Sequence, residues 1–137
     1  MKRYDNYVVI VPVRGTLVLV QKQFKAGVKK FCWGFPAGFI NGSETPLSAA
    51  KRELLEETGL IATKLTKVGT FYDNVSKGSE NFTIYLTRNP KENKKYHSNT
   101  DKDESKIKNS WVNIKGLKKI SMAGACMSLA KEIVLKD

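Results

Sequence analysis

Four glutamates and one arginine stand close together in the segment Gly38–Leu60, GFINGSETPLSAAKRELLEETGL. Glu53, Glu56 and Glu57 have the spacing i, i+3, i+4, so in a helix their carboxylates emerge on one side toward a common point. Such a density of acid is unfavourable unless cations neutralise it. Mg²⁺ prefers carboxylate oxygens and accepts phosphate oxygens among its remaining ligands. The spacing therefore predicts a metal site suited to hydrolysis of a diphosphate linkage.

The helix that would carry these glutamates has signals at both ends. Thr45 or Glu44 can cap its N-terminus, and Pro46 fits the first turn, where its missing N–H costs nothing. The helix is predicted to run through Glu57 and to stop at Gly59, a natural C-terminal cap. Its core stripe is predicted to consist of Leu47, Ala50, Leu54 and Leu55.

Strands are predicted before and after this helix, and a second helix closes the chain. Apolar or β-branched runs predict strands at Tyr7–Val13, Leu17–Gln23, Leu65–Tyr72, Asn81–Leu86 and Ile107–Ile114. The first two would form a hairpin, and short strands are expected on either side of Pro36-Ala37-Gly38. The closing helix is predicted at Ala123–Leu135, with Met127, Ala130 and Val134 facing inward. This order predicts an α/β protein, an α/β/α sandwich around a mixed β-sheet.

Composition limits the architecture and the cellular setting. With 137 residues and 41% apolar composition, residues 1–137 are expected to form a single domain with one core. No apolar run has the length of a membrane span or a secretory signal. Cys32 and Cys126 are too few and too far apart for a disulfide framework or a zinc site. We therefore expect a cytoplasmic protein without a membrane partner.

The formal net charge of +11 points toward anionic partners. A positive field attracts polyanions such as nucleotides or RNA. Lysine far outnumbers arginine, however, and no arginine-aromatic stripe marks a nucleic-acid face. Nucleic acid is therefore a partner that the sequence permits but does not favour.

The glutamate segment also fits a known pattern, G-x5-E-x7-R-E-U-x-E-E-x-G-U, in which U is a bulky aliphatic residue. Its fixed positions are filled by Gly38, Glu44, Arg52, Glu53, Leu54, Glu56, Glu57, Gly59 and Leu60. This pattern is the signature of the Nudix hydrolases, and the chain resembles that family. The resemblance implies a Nudix-type α/β/α sandwich and a pyrophosphohydrolase that uses Mg²⁺, which Mn²⁺ can replace.

The resemblance also assigns roles to residues of the segment. Glu56 and Glu57 would be the principal metal ligands, with Glu53 as a third. The backbone carbonyl of Ala37 would complete the site. Arg52 would hold the glutamates in place through paired hydrogen bonds, with Glu44 as a partner.

A catalytic base outside the segment is expected in this family, on a late loop. The polar stretch Asn89–Ser105 is predicted to be a mobile loop, and its acidic run Asp101-Lys-Asp-Glu104 resembles the run that supplies a metal ligand or base in relatives. Glu104 is the predicted base, and Glu80 is its rival. The resemblance puts Glu80 near the substrate phosphates.

Residues around the segment resemble the ADP-ribose and nucleoside-diphosphate-sugar pyrophosphatase branch. Val18–Lys25 is similar to its LLVRQYR strand, Trp33–Gly38 to its E-L-P-A-G segment, and Phe71–Glu80 to its F-Y-x-S-P-G-x-S-x-E loop. The chain departs from the branch at Val75, where a hallmark proline is expected, and at Gly34, where a glutamate is expected. The N-terminal extension that builds swapped dimers in many ADP-ribose pyrophosphatases is not found here, so a homodimer is possible but its mode stays open.

The predicted substrate is a small nucleotide, and candidate binding residues lie near the segment. The residues that can stack on a base or sugar are Phe24, Phe31, Trp33 and Tyr72, and Lys25 and Arg88 can pair with substrate phosphates. Hydrolysis of ADP-ribose or a nucleotide sugar is the first hypothesis. A MutT-like nucleoside triphosphate pyrophosphatase, favoured by the W-G-F-P context, and a basic RNA-binding or RNA-end-processing protein are the alternatives.

Overall fold

The structure is a computed structural model that describes residues 6–72, 80–93 and 107–136. Its strands, in chain order, are β1 Tyr7–Arg14, β2 Leu17–Lys25, β3 Lys30–Gly34, β4 Ala37–Phe39, β5 Leu60–Ile61, β6 Thr66–Tyr72, β7 Asn81–Arg88, β8 Lys91–Glu92 and β9 Lys108–Asn113. Its helices are α1 Pro46–Thr58, a 3-10 helix Ile114–Lys119 and α2 Gly124–Lys136. Neither α1 nor α2 has the length and apolar character that a membrane span requires.

Seven of the described strands form one mixed sheet, in which β1 and β7 are parallel and the other pairs are antiparallel. The hairpin predicted from β1 and β2 is confirmed, but the two strands pair only next to the turn and then diverge. The segment β3–β4 enters the space between them: β3 pairs with β2, and β4 pairs with β1. On its other edge, β2 pairs with β9. The backbone just before the glutamate segment is therefore held inside the sheet.

The core lies on both faces of β1, because its side chains alternate between the two helices. Val8 and Ile10 pack in a cluster with residues of α1, whereas Val9 and Val11 pack in a cluster with residues of α2. Fully burying such a side chain stabilises the fold by about 1.5–3 kcal/mol. One helix thus covers each face of the sheet, and the predicted α/β/α sandwich is confirmed.

Helix α1 begins and ends where the sequence predicts. The Thr45 hydroxyl accepts a hydrogen bond from the Ser48 N–H at 3.1 Å, so Thr45 is the N-terminal cap. At the other end, Gly59 has a φ of +74° and donates its N–H to the carbonyl of Leu55 at 2.9 Å. A left-handed residue at this position ends a helix at low cost only when it is glycine.

The predicted core stripe of α1 is wrong at Leu47. The buried residues of the helix are Ala49, Ala50 and Leu54. Leu47 shares the helical face of Leu54 but is 40% exposed, because the first turn of α1 projects beyond the core. Leu55 is half-buried. In α2, Ala130 and Val134 are buried as predicted, and Met127 is half-buried.

Two features lie outside the predicted element list. The short strands β5 and β8 pair with each other, so β8 falls inside the stretch that the sequence predicts to be a mobile loop. The rest of that stretch, from residue 94, lies outside the described residues. The 3-10 helix follows β9, and its Leu117 is fully buried against the α2 side of the sheet.

Candidate active site

Arg52 stands at the centre of the acidic cluster. Its Nε and Nη2 donate to the two carboxylate oxygens of Glu44 at 2.8 and 2.9 Å. Its Nη1 donates to Glu53 at 2.6 Å and to Glu56 at 3.3 Å. Nη2 also donates to the carbonyl of Phe39 at 3.0 Å. One planar guanidinium therefore ties strand β4 and the loop before α1 to the acidic face of the helix.

Gly38 provides the space that the cluster needs. The Glu53 carboxyl group lies directly against the Cα of Gly38, and a Cβ built there would overlap its carboxyl carbon. Gly38 itself belongs to β4 and pairs with Val8 in the sheet. Any side chain at position 38 would therefore have to push Glu53 away from its place beside Arg52.

Glu57 is the most enclosed of the acidic side chains. Its Oε2 accepts a hydrogen bond from the backbone N–H of Ala37 at 3.0 Å. Burial, reinforced by repulsion from Glu53 and Glu56, raises the pKa of Glu57 to about 8. Burial also raises the pKa of Glu53, against the opposing hydrogen bond from Arg52. By contrast, the hydrogen bond from Arg52 lowers the pKa of Glu44, because the guanidinium balances the charge of that carboxylate.

The donor set of the cluster fits a hard divalent cation. Two of its carboxyl groups resist ionisation in the protein alone, and a bound cation would remove that penalty. Within the described residues, no three acidic side chains converge as a ready-made metal cage. Arg52 instead engages oxygens of Glu53 and Glu56, and the N–H of Ala37 engages Glu57. A metal-binding role for the carbonyl of Ala37 stays a prediction.

Lys25 connects this cluster to a large cavity beside β2 and β3. Its positive charge is close enough to Glu57 to lower the pKa of that carboxyl, against the stronger effects that raise it. Lys25 also lines a cavity of about 990 Å³ whose walls include Phe24, Phe31, Trp33 and the segment leading into α2. The Trp33 carbonyl fixes that segment by accepting the N–H of Ala123 at 2.7 Å. The carboxylates and the aromatic cavity are thus neighbours.

A comparison with protein families matches residues 2–127 to the NUDIX domain. The chain belongs to the Nudix family. The fold agrees: the crystal structure of an ADP compounds hydrolase superposes with a TM-score of 0.79, covering 98% of this chain and 72% of that one. Because the two sequences are only 19% identical, this likeness shows the fold alone.

Two curated Nudix relatives differ in how much of the chain they match. An ADP-ribose pyrophosphatase of Bacillus subtilis is 37% identical over 79 residues, which cover 58% of this chain and 42% of that protein. The mRNA decapping complex subunit 2 of Schizosaccharomyces pombe is 31% identical over 120 residues, which cover 82% of this chain and 15% of that protein. The chain thus spans less than half the length of either relative.

The structure separates the predicted substrate-binding residues into two groups. Phe24, Lys25 and Trp33 lie together on β2 and β3. Tyr72 is 58% exposed at the end of β6, and half-buried Glu80 precedes β7. The first group is on β2 and β3, and the second is on or next to the antiparallel pair β6–β7, on the other side of β1. The predicted base Glu104 lies outside the described residues.

Two further residues were not predicted: Asn109, which contacts the Nudix helix, and Gln21, which contacts Asn109. Gln21 on β2 and Asn109 on β9 are neighbours in the sheet, and Asn109 donates to the backbone carbonyl of Glu57 at 2.9 Å. The sequence carried one weak signal, a polar residue directly after the apolar run Leu17–Val20. The structure shows that this residue, Gln21, is buried. Only the pairing of β2 with β9 shows what this glutamine faces.

Proposed function

We propose that this Nudix protein is a Mg²⁺-dependent pyrophosphohydrolase, with Mn²⁺ as a substitute, that splits the diphosphate of a nucleoside diphosphate linked to another group. ADP-ribose or a nucleotide sugar is the first candidate. The observation that carries the proposal is the arrangement of Glu53, Glu56 and Glu57 on one face of α1, with the pKa of Glu57 raised to about 8. Crowded, buried carboxylates of this kind are stabilised when a divalent cation joins them.

In this proposal Glu53, Glu56 and Glu57, with the Ala37 carbonyl, would hold the cation. When bound, the metal would supply an activated water and a polarised diphosphate. Arg52 keeps the glutamates oriented through its hydrogen bonds and neutralises Glu44. Water adds to one phosphorus and the bridging oxygen leaves with the other, so the products are a nucleoside monophosphate and a phosphorylated sugar.

In this proposal the cavity beside Lys25 binds the nucleoside end of the substrate. Its volume of about 990 Å³ falls within the range of small-molecule sites. Phe24, Phe31 and Trp33 offer ring faces and edges for a base. We assign the diphosphate to Lys25, because this residue lines the cavity and its charge also acts on Glu57. The similarity to an ADP-ribose pyrophosphatase supports the choice of first substrate.

A second candidate is hydrolysis at the 5′ end of an RNA. The decapping relative aligns with more of this chain than the ADP-ribose pyrophosphatase does, 82% against 58%. Among the residues that the structure describes, the cavity lining contains three lysines, Lys25, Lys30 and Lys119, and no acidic residue. Aromatic rings among lysines suit a base followed by further phosphates.

The test is turnover with Mg²⁺ on a panel of substrates, with identification of the products. The panel holds ADP-ribose, two nucleotide sugars, a nucleoside triphosphate and a short RNA with a capped or triphosphorylated 5′ end. Release of AMP and ribose phosphate from ADP-ribose at the highest kcat/KM supports the first candidate. Preferential cleavage of the RNA supports the second, and release of pyrophosphate from the triphosphate contradicts both. No turnover on any substrate contradicts the enzymatic proposal.

A further inference from the structure

A buried glutamine and a half-buried asparagine connect the sheet to the end of the Nudix helix. Gln21 is only 6% exposed, and its Nε2 donates to the Oδ1 of Asn109 at 3.0 Å. Asn109 uses its own Nδ2 to donate to the backbone carbonyl of Glu57 at 2.9 Å. Gln21 and Asn109 face each other across the β2–β9 pair. A continuous polar connection therefore runs from β2 through β9 to Glu57.

This connection supplies a partner that the helix cannot provide. The last four carbonyls of an α-helix have no intrahelical donor. Near the end of α1, the carbonyl of Leu54 receives the hydroxyl of Thr58, and that of Leu55 receives the N–H of Gly59. The carbonyl of Glu57 receives the amide of Asn109 instead. The last turn of α1, which bears Glu56 and Glu57, is thus fixed from outside the helix.

Stability alone gives little reason for this arrangement. A buried amide gains little net free energy from its hydrogen bonds, because it gives up equivalent bonds to water. Replacing both members of such a pair with apolar side chains of similar shape can be nearly neutral. Leucine at position 21 would continue the apolar run of β2 that precedes it. The polar pair therefore calls for a role beyond stabilising the core.

We propose that Asn109, oriented by Gln21, is a positioning residue for the metal-binding carboxylates of α1. By holding the Glu57 carbonyl, it sets where the last helical turn lies relative to β4, against which the side chains of Glu53 and Glu57 are placed. The inference rests on the proposed metal role of those glutamates. Removing a group that orients a metal ligand typically costs 10- to 100-fold in metal affinity.

The matched substitutions are Asn109→Asp and Asn113→Asp, both on β9. Asp at position 109 keeps the oxygen that accepts from Gln21 but loses the donor to Glu57. The Asn113 oxygen accepts from the N–H of Lys115 at 2.9 Å, and Asp at position 113 keeps that bond. Both variants add the same charge to the same strand. A third variant, Gln21→Leu with Asn109→Leu, removes the connection without adding charge or leaving an unpaired amide.

The measurements are calorimetric titration of the folded protein with Mg²⁺ alone, and thermal unfolding. We expect the Mg²⁺ dissociation constant to rise about tenfold in Asn109→Asp and in the double leucine variant, and to stay unchanged in Asn113→Asp. Unchanged Mg²⁺ affinity in both Asn109 variants, whether or not Tm falls, would overturn the positioning role. Failure of the unsubstituted protein itself to bind Mg²⁺ would instead overturn the proposed metal role of the glutamates.

Discussion

On the α1 side of the sheet, Arg52 is joined to three glutamates by hydrogen bonds between 2.6 and 3.3 Å long. Beside the start of α2, aromatic rings and lysines instead line an open cavity of about 990 Å³. In the first region a single guanidinium holds the carboxylates, whereas in the second the exposed rings of Phe24 and Phe31 contact each other, with centroids 5.4 Å apart. In the proposed function, the first region is a rigid reaction centre and the second is an adaptable recognition surface.

The largest effect is expected from Glu56→Gln. Losing one carboxylate of the rigid region should lower kcat at least about 10²-fold, the scale on which single electrostatic groups act in active sites. Tm should hardly change, because Glu56 is only partly buried. The matched control is Glu132→Gln, which changes an exposed glutamate of α2. Full activity of the Glu56 variant on the preferred substrate would contradict the metal role.

Gly38→Ala should have the next largest effect. The new methyl group overlaps the Glu53 carboxyl group, so Glu53 must leave its place beside Arg52. We expect the free energy of unfolding to fall by about 1–3 kcal/mol, as in other overpacked sites, together with weaker Mg²⁺ binding. Gly116→Ala is the control, because a Cβ there meets no atom within 4 Å. Equal urea unfolding and equal Mg²⁺ titration for the two variants would show that the crowding at Gly38 has no consequence.

The metal-free protein should become less stable as the pH rises. Burial raises the pKa of Glu57 from 4.5 to about 8, so the folded state favours the protonated carboxyl. That contribution is fully present below pH 4.5 and is lost as the pH rises through about 8. Urea unfolding in a chelator across this range should show the decline. The free energy of unfolding of the Glu57→Gln variant should change less over the same pH range. An equally steep decline in that variant would assign the effect to other groups.

The smallest effect is expected from Phe31→Ala, in the adaptable region. Loss of one ring contact should raise KM for the nucleotide by about 3- to 10-fold while leaving kcat nearly unchanged. Val68→Ala, at a partly exposed position on β6, is the control for removing an apolar side chain. A rise in KM for Tyr72→Ala, with none for Phe31→Ala, would place the base at the β6 edge of the sheet and reverse the assignment of the two regions.

The parts of the molecule that sequence predicts well are those set by neighbours along the chain. Thr45, Pro46 and Gly59 determine the ends of α1 through contacts within a few residues, and alternation along β1 is a local pattern. The exposure of Leu47 could not be predicted, because it depends on how far the helix extends past the sheet. The contact between Gln21 and Asn109 joins residues 88 positions apart and depends on strand order. The cavity likewise combines two distant segments.

The pairing of β1 with β7 and of β2 with β9 has a consequence for how the molecule folds. Tyr7 lies opposite Phe82, and Lys22 opposite Lys108, so the central strands must wait for partners synthesised much later. Contacts of such high sequence separation make folding slow, because loops have to close before any pairing energy is gained. Helix α1 can form early from its own caps, but the carbonyl of Glu57 gains its bond from Asn109 once β9 has joined the sheet. If the proposed metal site is correct, tight Mg²⁺ binding would develop only when folding is complete. After dilution from urea, the rate at which Mg²⁺ binding appears would then follow the rate at which β9 pairs with β2.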